Sequence, residues 1–470
     1  MKIAIAIAAI FCARFLVAAW FYPGQDGDLA WQQWLGQQVM QAHQLPTHLG
    51  AETFTAAGAH WVPQEWAFSL AVASTLPKGH FGVLAVAATL AAAFALLLTA
   101  FRSYRRGAST FAVALTTIFA GFAMLQSFGV RAQIFGWLAL ALVLLLLDLE
   151  TPFVFLAIPI VALWANVHAS ALVAPAIVGA WAVGTWIEDR AWTERVERNF
   201  VLTFGCVLAV FMTPLLWKLP VYAVGLETSS IRHAISEWQP SDIFFAAFSG
   251  GVLPLIAICA YFGIAAPRER WRDGMQFALV CVMAFAAVRH LPLAALVLAP
   301  MAAQRLTTAI PAQARLNAIL HERFSEGLVF AASALSVVLI VVSLTKVPAI
   351  AGVALPRNAV SALSKSSGVH NLYCEDFAWC SLALGHANLR TFVDGRCDPF
   401  PPQVWDDYLA VERVSPRWSG VLDRYAVDSV LVKGGRPLAQ ALALRPGWRV
   451  FYRDAKYEIF VRDGLRTASR

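Results

Sequence analysis

The chain has 470 residues, of which 59% are hydrophobic and only 14% charged, and its mean hydropathy is +0.62. That composition excludes a soluble globular domain of this length and places the chain among polytopic membrane proteins. The net charge of +7 is no sign of nucleic-acid binding, because the basic residues sit in loops between apolar segments, where they orient a protein in a bilayer.

Apolar runs predict about eleven spanning helices. The first covers residues 3–21 and is followed by a long polar loop, 22–78. Further helices are expected near 79–101, 110–128, 133–149, 152–167, 171–187, 200–216, 248–265, 274–288, 290–304 and 327–346. Lys2 ahead of an apolar stretch also has the form of a signal peptide, but no clear small-residue cleavage site precedes Trp20-Phe21-Tyr22-Pro23. Residues 1–346 therefore read as a transmembrane domain. From 347 to 470 charge, Pro and Gly return and no run is long enough to span, so this segment reads as a soluble domain.

Basic residues set the expected orientation. Alternate loops hold Arg102, Arg105 and Arg106; Arg190, Arg195 and Arg198; Arg268, Arg270 and Arg272; and Arg305, Arg315 and Arg323. Connections on the other side carry few positives: Lys78, Arg131, Lys218, Arg232 and Arg289. The positive-inside rule then puts the N-terminus in the cytoplasm and, after an odd number of crossings, the C-terminal domain outside the inner (plasma) membrane.

Polar residues of a different kind collect on the outer side. The first loop reads Gln25-Asp26-Gly27-Asp28-Leu29-Ala30-Trp31 and later Gln64-Glu65-Trp66. Two carboxylates at i and i+2 suit a general base or a divalent cation site, although a solvated loop would look the same. Leu29 to Val39 and Trp66 to Ser74 are amphipathic stretches that could lie along a membrane surface. Arg131 and Gln133 stand between two apolar helices, Asn166 and His168 end another, and Arg289 and His290 interrupt an apolar stretch from Met275 to Met301. A charge at membrane depth costs about 2.5–3.5 kcal/mol, so such residues usually have a partner or a task.

These features together resemble the GT-C class of membrane glycosyltransferases, and more narrowly the bacterial relatives of dolichyl-phosphate-mannose protein mannosyltransferases. The resemblance runs through Asp28-Leu29-Ala30-Trp31-Gln32-Gln33-Trp34-Leu35-Gly36, Glu65-Trp66, Arg131-Ala132-Gln133, Trp164-Ala165-Asn166-Val167-His168 and Glu237-Trp238-Gln239-Pro240. It reaches the tail at Val393-Asp394-Gly395-Arg396 and Gly447-Trp448-Arg449-Val450. It implies an α-helical GT-C-like bundle with a small α/β extracytoplasmic domain, and sugar transfer from a polyprenyl-phosphate donor to a glycan, lipid or protein acceptor at the outer face, with inversion. The acidic motif maps onto Asp28 or Asp26, with Asp28 preferred as the base. Glu65, or else Glu237, is the candidate second acid. Arg131, Arg289 and His290 are candidates for the donor phosphate, and Gln133, Asn166, His168 and Glu237 for further lining. Some relatives use a divalent metal ion and others do not, so a metal is left open here. A non-catalytic scaffold with a partner-binding outer domain, or a lipid or solute transporter, is the alternative reading.

The C-terminal segment alternates strands (389–393, 429–432, 448–452, 457–461) with helices (402–411, 418–425, 437–444) and turns at Asp454-Ala455-Lys456. That pattern predicts a small mixed sheet, better suited to an acceptor-binding or lid element than to a second catalytic centre. Cys12, Cys206, Cys259 and Cys281 fall in apolar helices and read as small buried residues. Cys374, Cys380 and Cys397 allow one disulfide in three possible pairings, or an irregularly spaced zinc site with His370 or His386.

Overall fold

A computed structural model describes residues 1–25, 27–227, 235–264, 271–309, 324–345 and 355–463. Asp26 lies outside the described residues, as do Arg232, Arg268, Arg270, Arg315 and Arg323. The protein is mostly helical with one small sheet near its C-terminus. It divides into two compact units. One contains described residues within Met1–Trp20, Gly79–Glu227 and Arg232–Pro348; the other contains described residues within Phe21–Lys78 and Ala349–Arg470.

In chain order the helices are α1 (Lys2–Gln25), α2 (Asp28–Ala42), α3 (Trp66–Thr75), α4 (Phe81–Arg105), α5 (Thr110–Gln126), α6 (Gln133–Leu149), α7 (Ala157–Val167), α8 (Val173–Asp189), α9 (Glu194–Val210), α10 (Lys218–Glu227), α11 (Leu253–Ile264), α12 (Trp271–Ala286), α13 (Leu291–Ala309) and α14 (Phe324–Thr345). Among the described residues, four helices are long and apolar enough to cross a membrane: Lys2–Phe21, Phe81–Arg105, Ala169–Asp189 and Glu326–Thr345. The shorter apolar helices, such as Thr110–Gln126 and Gln133–Leu149, have 10–17 residues. At about 1.5 Å per residue, 17 residues rise only about 26 Å, short of the roughly 30 Å hydrocarbon core. Eleven spans are therefore not confirmed. The expected helix 200–216 begins instead at Glu194, where the Thr193 hydroxyl accepts from Val196 N at 3.3 Å and Glu194 and Glu197 complement the helix dipole. An apolar scan starts two turns late at such a polar entrance. Between Leu291 and Ala303 every residue of α13 is buried, so this helix is apolar all round and forms the centre of the first unit.

Several arginines that the sequence assigns to membrane orientation also hold helices together. Arg102, fully buried, binds Asp148 at 2.8 Å, and Arg106 binds Asp148 at 2.7 Å and Asp273 at 3.0 Å. Arg272 pairs with Glu150 and, at 2.8 Å, with Glu188, and its guanidinium lies 4.8 Å from the Trp181 ring centre. The acids at and beside the turn near Glu150 are counter-ions of this network.

The second unit combines the first loop with the C-terminal segment. Its sheet has strands β1 (His370–Cys374), β2 (Leu389–Thr391), β3 (Ser429–Lys433), β4 (Trp448–Arg453) and β5 (Tyr457–Arg462) in the order β2-β1-β3-β5-β4. β1 runs parallel to β2 and β3, whereas β5 is antiparallel to β3 and β4. Leu372, Leu431, Ile459 and Val461 pack with Ala359, Val360 and Leu363 of α15 (Arg357–Ser364). β1 and α15 were not expected: a five-residue strand opening on His and Asn has little alternating pattern to read. The β2 edge is covered by the first loop. Thr53 bridges Thr391, Thr391 N donates to Glu52 O at 2.8 Å, and Thr53 Oγ1 donates to Thr391 O at 2.9 Å. Covering an edge this way removes a row of unpaired backbone groups. Of the three possible disulfides the structure contains Cys374–Cys380, which leaves Cys397 buried as a free thiol.

Candidate functional site

The candidate residues divide between the two units. In the second, Asp28 is the first residue of α2, where its negative charge complements the helix dipole. Trp31, one turn along, donates from Nε1 to Asp28 Oδ1 at 3.2 Å. Gln32 follows on the same helix and donates to Glu65, whose other carboxylate oxygen accepts from Gln64 Nε2 at 2.8 Å. Ser69 on α3 donates to the Gln32 carbonyl oxygen. A Glu65–Gln32–Ser69 chain, with Gln32 donating to Glu65 and accepting from Ser69 at its side-chain Oε1, thus ties α2 to α3. Both stretches read as amphipathic in the sequence are helical here, as α2 and α3.

The C-terminal part of the same unit brings a second group of charges to this place. Arg396, only 3% exposed, grips Asp394 with two parallel bonds, Nε to Oδ1 at 2.8 Å and Nη2 to Oδ2 at 2.7 Å. Its Nη1 reaches Glu52 at 2.8 Å, and its guanidinium carbon lies 5.0 and 5.1 Å from the ring centres of Trp34 and Trp61. Burial by itself lowers the affinity of this guanidinium for its proton, but Asp394 and Glu52 more than offset that and hold its pKa above the usual value. With three nitrogens bonded to carboxylates and the stacked Trp34 and Trp61 rings against it, Arg396 is a structural cation and not a ready phosphate ligand. Gly395, next to it, donates its amide to Ser381 Oγ at 2.9 Å.

Asp398 completes this cluster. Burial, with a contribution from the Glu65 charge, pushes its carboxyl up to about 8. Such a group can exchange a proton near neutral pH. The string Asp394-Gly395-Arg396-Cys397-Asp398, set between Phe392-Val393 and Pro399-Phe400, is the signal that could have singled it out.

In the first unit, Arg131 lies in the connection before α6 and binds Glu237 at 2.9 Å. The segment with Glu237 and Trp238 is docked on the turn before α13, since Val288 N donates to Gln239 O at 3.1 Å and Ser241 N to Phe285 O at 3.3 Å. Arg289 sits on that turn with its guanidinium 5.1 Å from the Trp238 ring centre, and His168 lies within its electrostatic reach. Arg131, Glu237, Trp238, Arg289 and His168 are therefore neighbours. His290 Nδ1 donates to Met283 O at 3.0 Å. Gln133 begins α6. His168 caps the turn after α7, accepting from Ser170 N at 3.0 Å. Asn166 spends both amide hydrogens on the carbonyls of Ala162 and Met212, each at 2.8 Å, which is a structural use.

Among the described residues no group of three or more His, Cys, Asp or Glu side chains is assembled that could hold a metal ion. The zinc alternative for Cys374, Cys380 and Cys397 does not fit, because Cys374 and Cys380 are joined in the disulfide.

A membrane protein with this bundle and an appended small sheet has the GT-C fold. No family model matches the sequence, and no curated protein matches it. Solved structures do match. The archaeal oligosaccharyltransferase AglB from Archaeoglobus fulgidus, in complex with an inhibitory peptide and a dolichol-phosphate, superposes with a TM-score of 0.62 at 10% identity, covering 92% of this chain and 69% of its own. ArnT from Cupriavidus metallidurans in the apo state gives 0.52 at 13% identity, covering 94% and 96%. ArnT bound to undecaprenyl phosphate gives 0.50 at 14% identity, covering 97% and 98%. Both neighbours are GT-C glycosyltransferases, and the likeness at these identities is one of fold.

Proposed function

We propose that the protein transfers a sugar from a polyprenyl-phosphate donor to an acceptor hydroxyl at the outer face of the inner membrane. The observation that carries this reading is the Asp28 carboxylate, held by Trp31 Nε1 at 3.2 Å at the head of α2. It is supported by the GT-C fold and by neighbours whose structures hold dolichol-phosphate or undecaprenyl phosphate.

The chemistry is a single displacement. Asp28 takes the proton from the acceptor hydroxyl as its oxygen bonds the anomeric carbon. The bond from that carbon to the phosphate oxygen breaks, and its electron pair leaves with the polyprenyl phosphate. One displacement inverts the anomeric configuration. Charge grows on the departing phosphate, which favours cationic donors, and Arg131, Arg289 and His290 are assigned that role. Glu65, whose charge helps to raise the Asp398 carboxyl, is assigned to the second acid.

The test is a deletion strain complemented with wild type or Asp28→Asn at equal membrane abundance, with envelope glycans read by mass spectrometry. Loss of one sugar in the deletion and in Asp28→Asn, restored by wild type, is the expected result. A glycan profile unchanged by the deletion would favour the scaffold or transporter reading.

A further inference from the structure

The outer domain contributes more to this unit than a cover. Its turn 394–396 lies along one face of α2, touching Asp28, Trp31 and Trp34 in order. A methyl group on Gly395 would stand 3.2 Å from Asp28 Oδ1, 2.9 Å from Trp31 Cδ1 and 2.7 Å from Ser381 Oγ. The backbone of Gly395 is therefore a wall against the carboxylate and against the indole that donates to it. On the preceding side, a methyl group on Gly27 would fall 2.0 Å from Ala378 O, so the chain entering Asp28 also rests on the C-terminal segment. Ala378 and Ser381 belong to one short stretch anchored to β1 by the Cys374–Cys380 disulfide.

The wall is itself held rigidly. Arg396 fixes the turn through its fork on Asp394, and locks it to α2 and the first loop through Trp34, Trp61 and Glu52. Thr391 Oγ1 donates to the second Asp394 oxygen at 3.0 Å. All three guanidinium nitrogens of Arg396 bond within this scaffold, so the turn is held in place beside Asp28.

We propose that Asp394, Gly395 and Arg396 form a positioning element that fixes the Asp28 carboxylate, through Gly395 and Trp31, for the proton transfer of the glycosyl transfer step. This rests on the proposed function above. The element touches no substrate and acts through Asp28 alone. Displacement of a reacting group by about 1 Å can cost about 100-fold in rate while binding is kept.

The experiment uses the full chain in lipid nanodiscs and in the deletion strain. Undecaprenyl phosphate is the binding probe, and envelope glycan output is the readout of transfer. Trp31→Phe keeps an aromatic ring against Gly395 but removes the N–H to Asp28; Gly395→Ala adds the methyl group. Both are expected to bind undecaprenyl phosphate within threefold of wild type and to lose most glycan output at normal abundance. Wild-type output in Trp31→Phe would overturn the proposal. So would Gly395→Ala losing output only in step with abundance and undecaprenyl phosphate affinity. Asp28→Asn separates the two claims: if it retains output, the proposed function falls; if it loses output while Trp31→Phe does not, only the positioning element falls.

Discussion

Arg396 and Asp394 form a two-pronged ion pair that is almost wholly shut away from solvent, at 2.8 and 2.7 Å with exposures of 3% and 0%. Burying a pair like this gains little net stability, but removing Arg396 strands Asp394, and removing Asp394 leaves the buried Arg396 with Glu52 alone. Asp394→Ala and Arg396→Ala are each expected to destabilise the second unit by about 3–5 kcal/mol. The double variant should cost clearly less than the sum of the two. Denaturant titration of the purified protein, read by hydrogen exchange over residues 389–405, checks both expectations.

Asp398 gives the second unit a pH dependence of known sign. Its folded pKa, about 8, lies above the ordinary carboxyl value, so the folded state binds a proton that the unfolded chain has already released at neutral pH. The stabilisation is complete below about pH 4 and is lost as pH rises through about 8. Asp398→Asn cannot ionise and should flatten this fall. Melting of the second unit in wild type and Asp398→Asn at pH 5 and pH 8.5 measures it; parallel curves would count against a raised carboxyl.

Arg131 and Glu237 form a half-exposed pair, at 29% and 36%, of the kind that contributes only about 0–1 kcal/mol. Arg131→Gln should therefore leave thermal stability nearly unchanged. As a phosphate donor, Arg131 would supply a charge-assisted hydrogen bond of about 1.5–3 kcal/mol. Its loss should weaken undecaprenyl phosphate binding at least about tenfold, measurable in nanodiscs.

Asp148 counters two buried arginines, Arg102 and Arg106. Asp148→Asn removes the carboxylate that Arg102 binds and leaves Arg106 with Asp273 alone, and is expected to lower the melting temperature and membrane abundance sharply. An exposed pair such as Lys2–Glu326 should tolerate the equivalent change. The comparison reads as thermal melting in detergent.

Local elements were largely legible, because hydrophobic runs and amphipathic spacing are local signals. Gln133–Leu149 stands where the apolar run between Gln133 and Glu150 places it, and α2 and α3 follow the amphipathic stretches of the first loop. Polar entrances hid helix starts, as at Glu194, and strand β1 was too short to announce itself. Contacts distant in sequence had no signal at all. Glu52 and Thr53 meet Thr391 more than 330 residues away, and nothing in either segment names its partner. For the same reason Asp394-Gly395-Arg396 is legible as a motif but its contact with Asp28 is not; Asp398 stands in the same string, but its burial beside Glu65 has no local signal. The arginines of alternate loops were read for their sign alone; their acids, dispersed over α6, α8 and α12, become partners only once the helices pack.

The most direct measurement is release of undecaprenyl phosphate from a lipid-linked sugar extract by the nanodisc-embedded full chain, wild type against Asp28→Asn, with acceptor-bearing envelope material present. The account predicts time-dependent release coupled to sugar transfer by wild type, and neither by Asp28→Asn despite retained undecaprenyl phosphate binding. Equal release by the two proteins, or none by wild type, would contradict it.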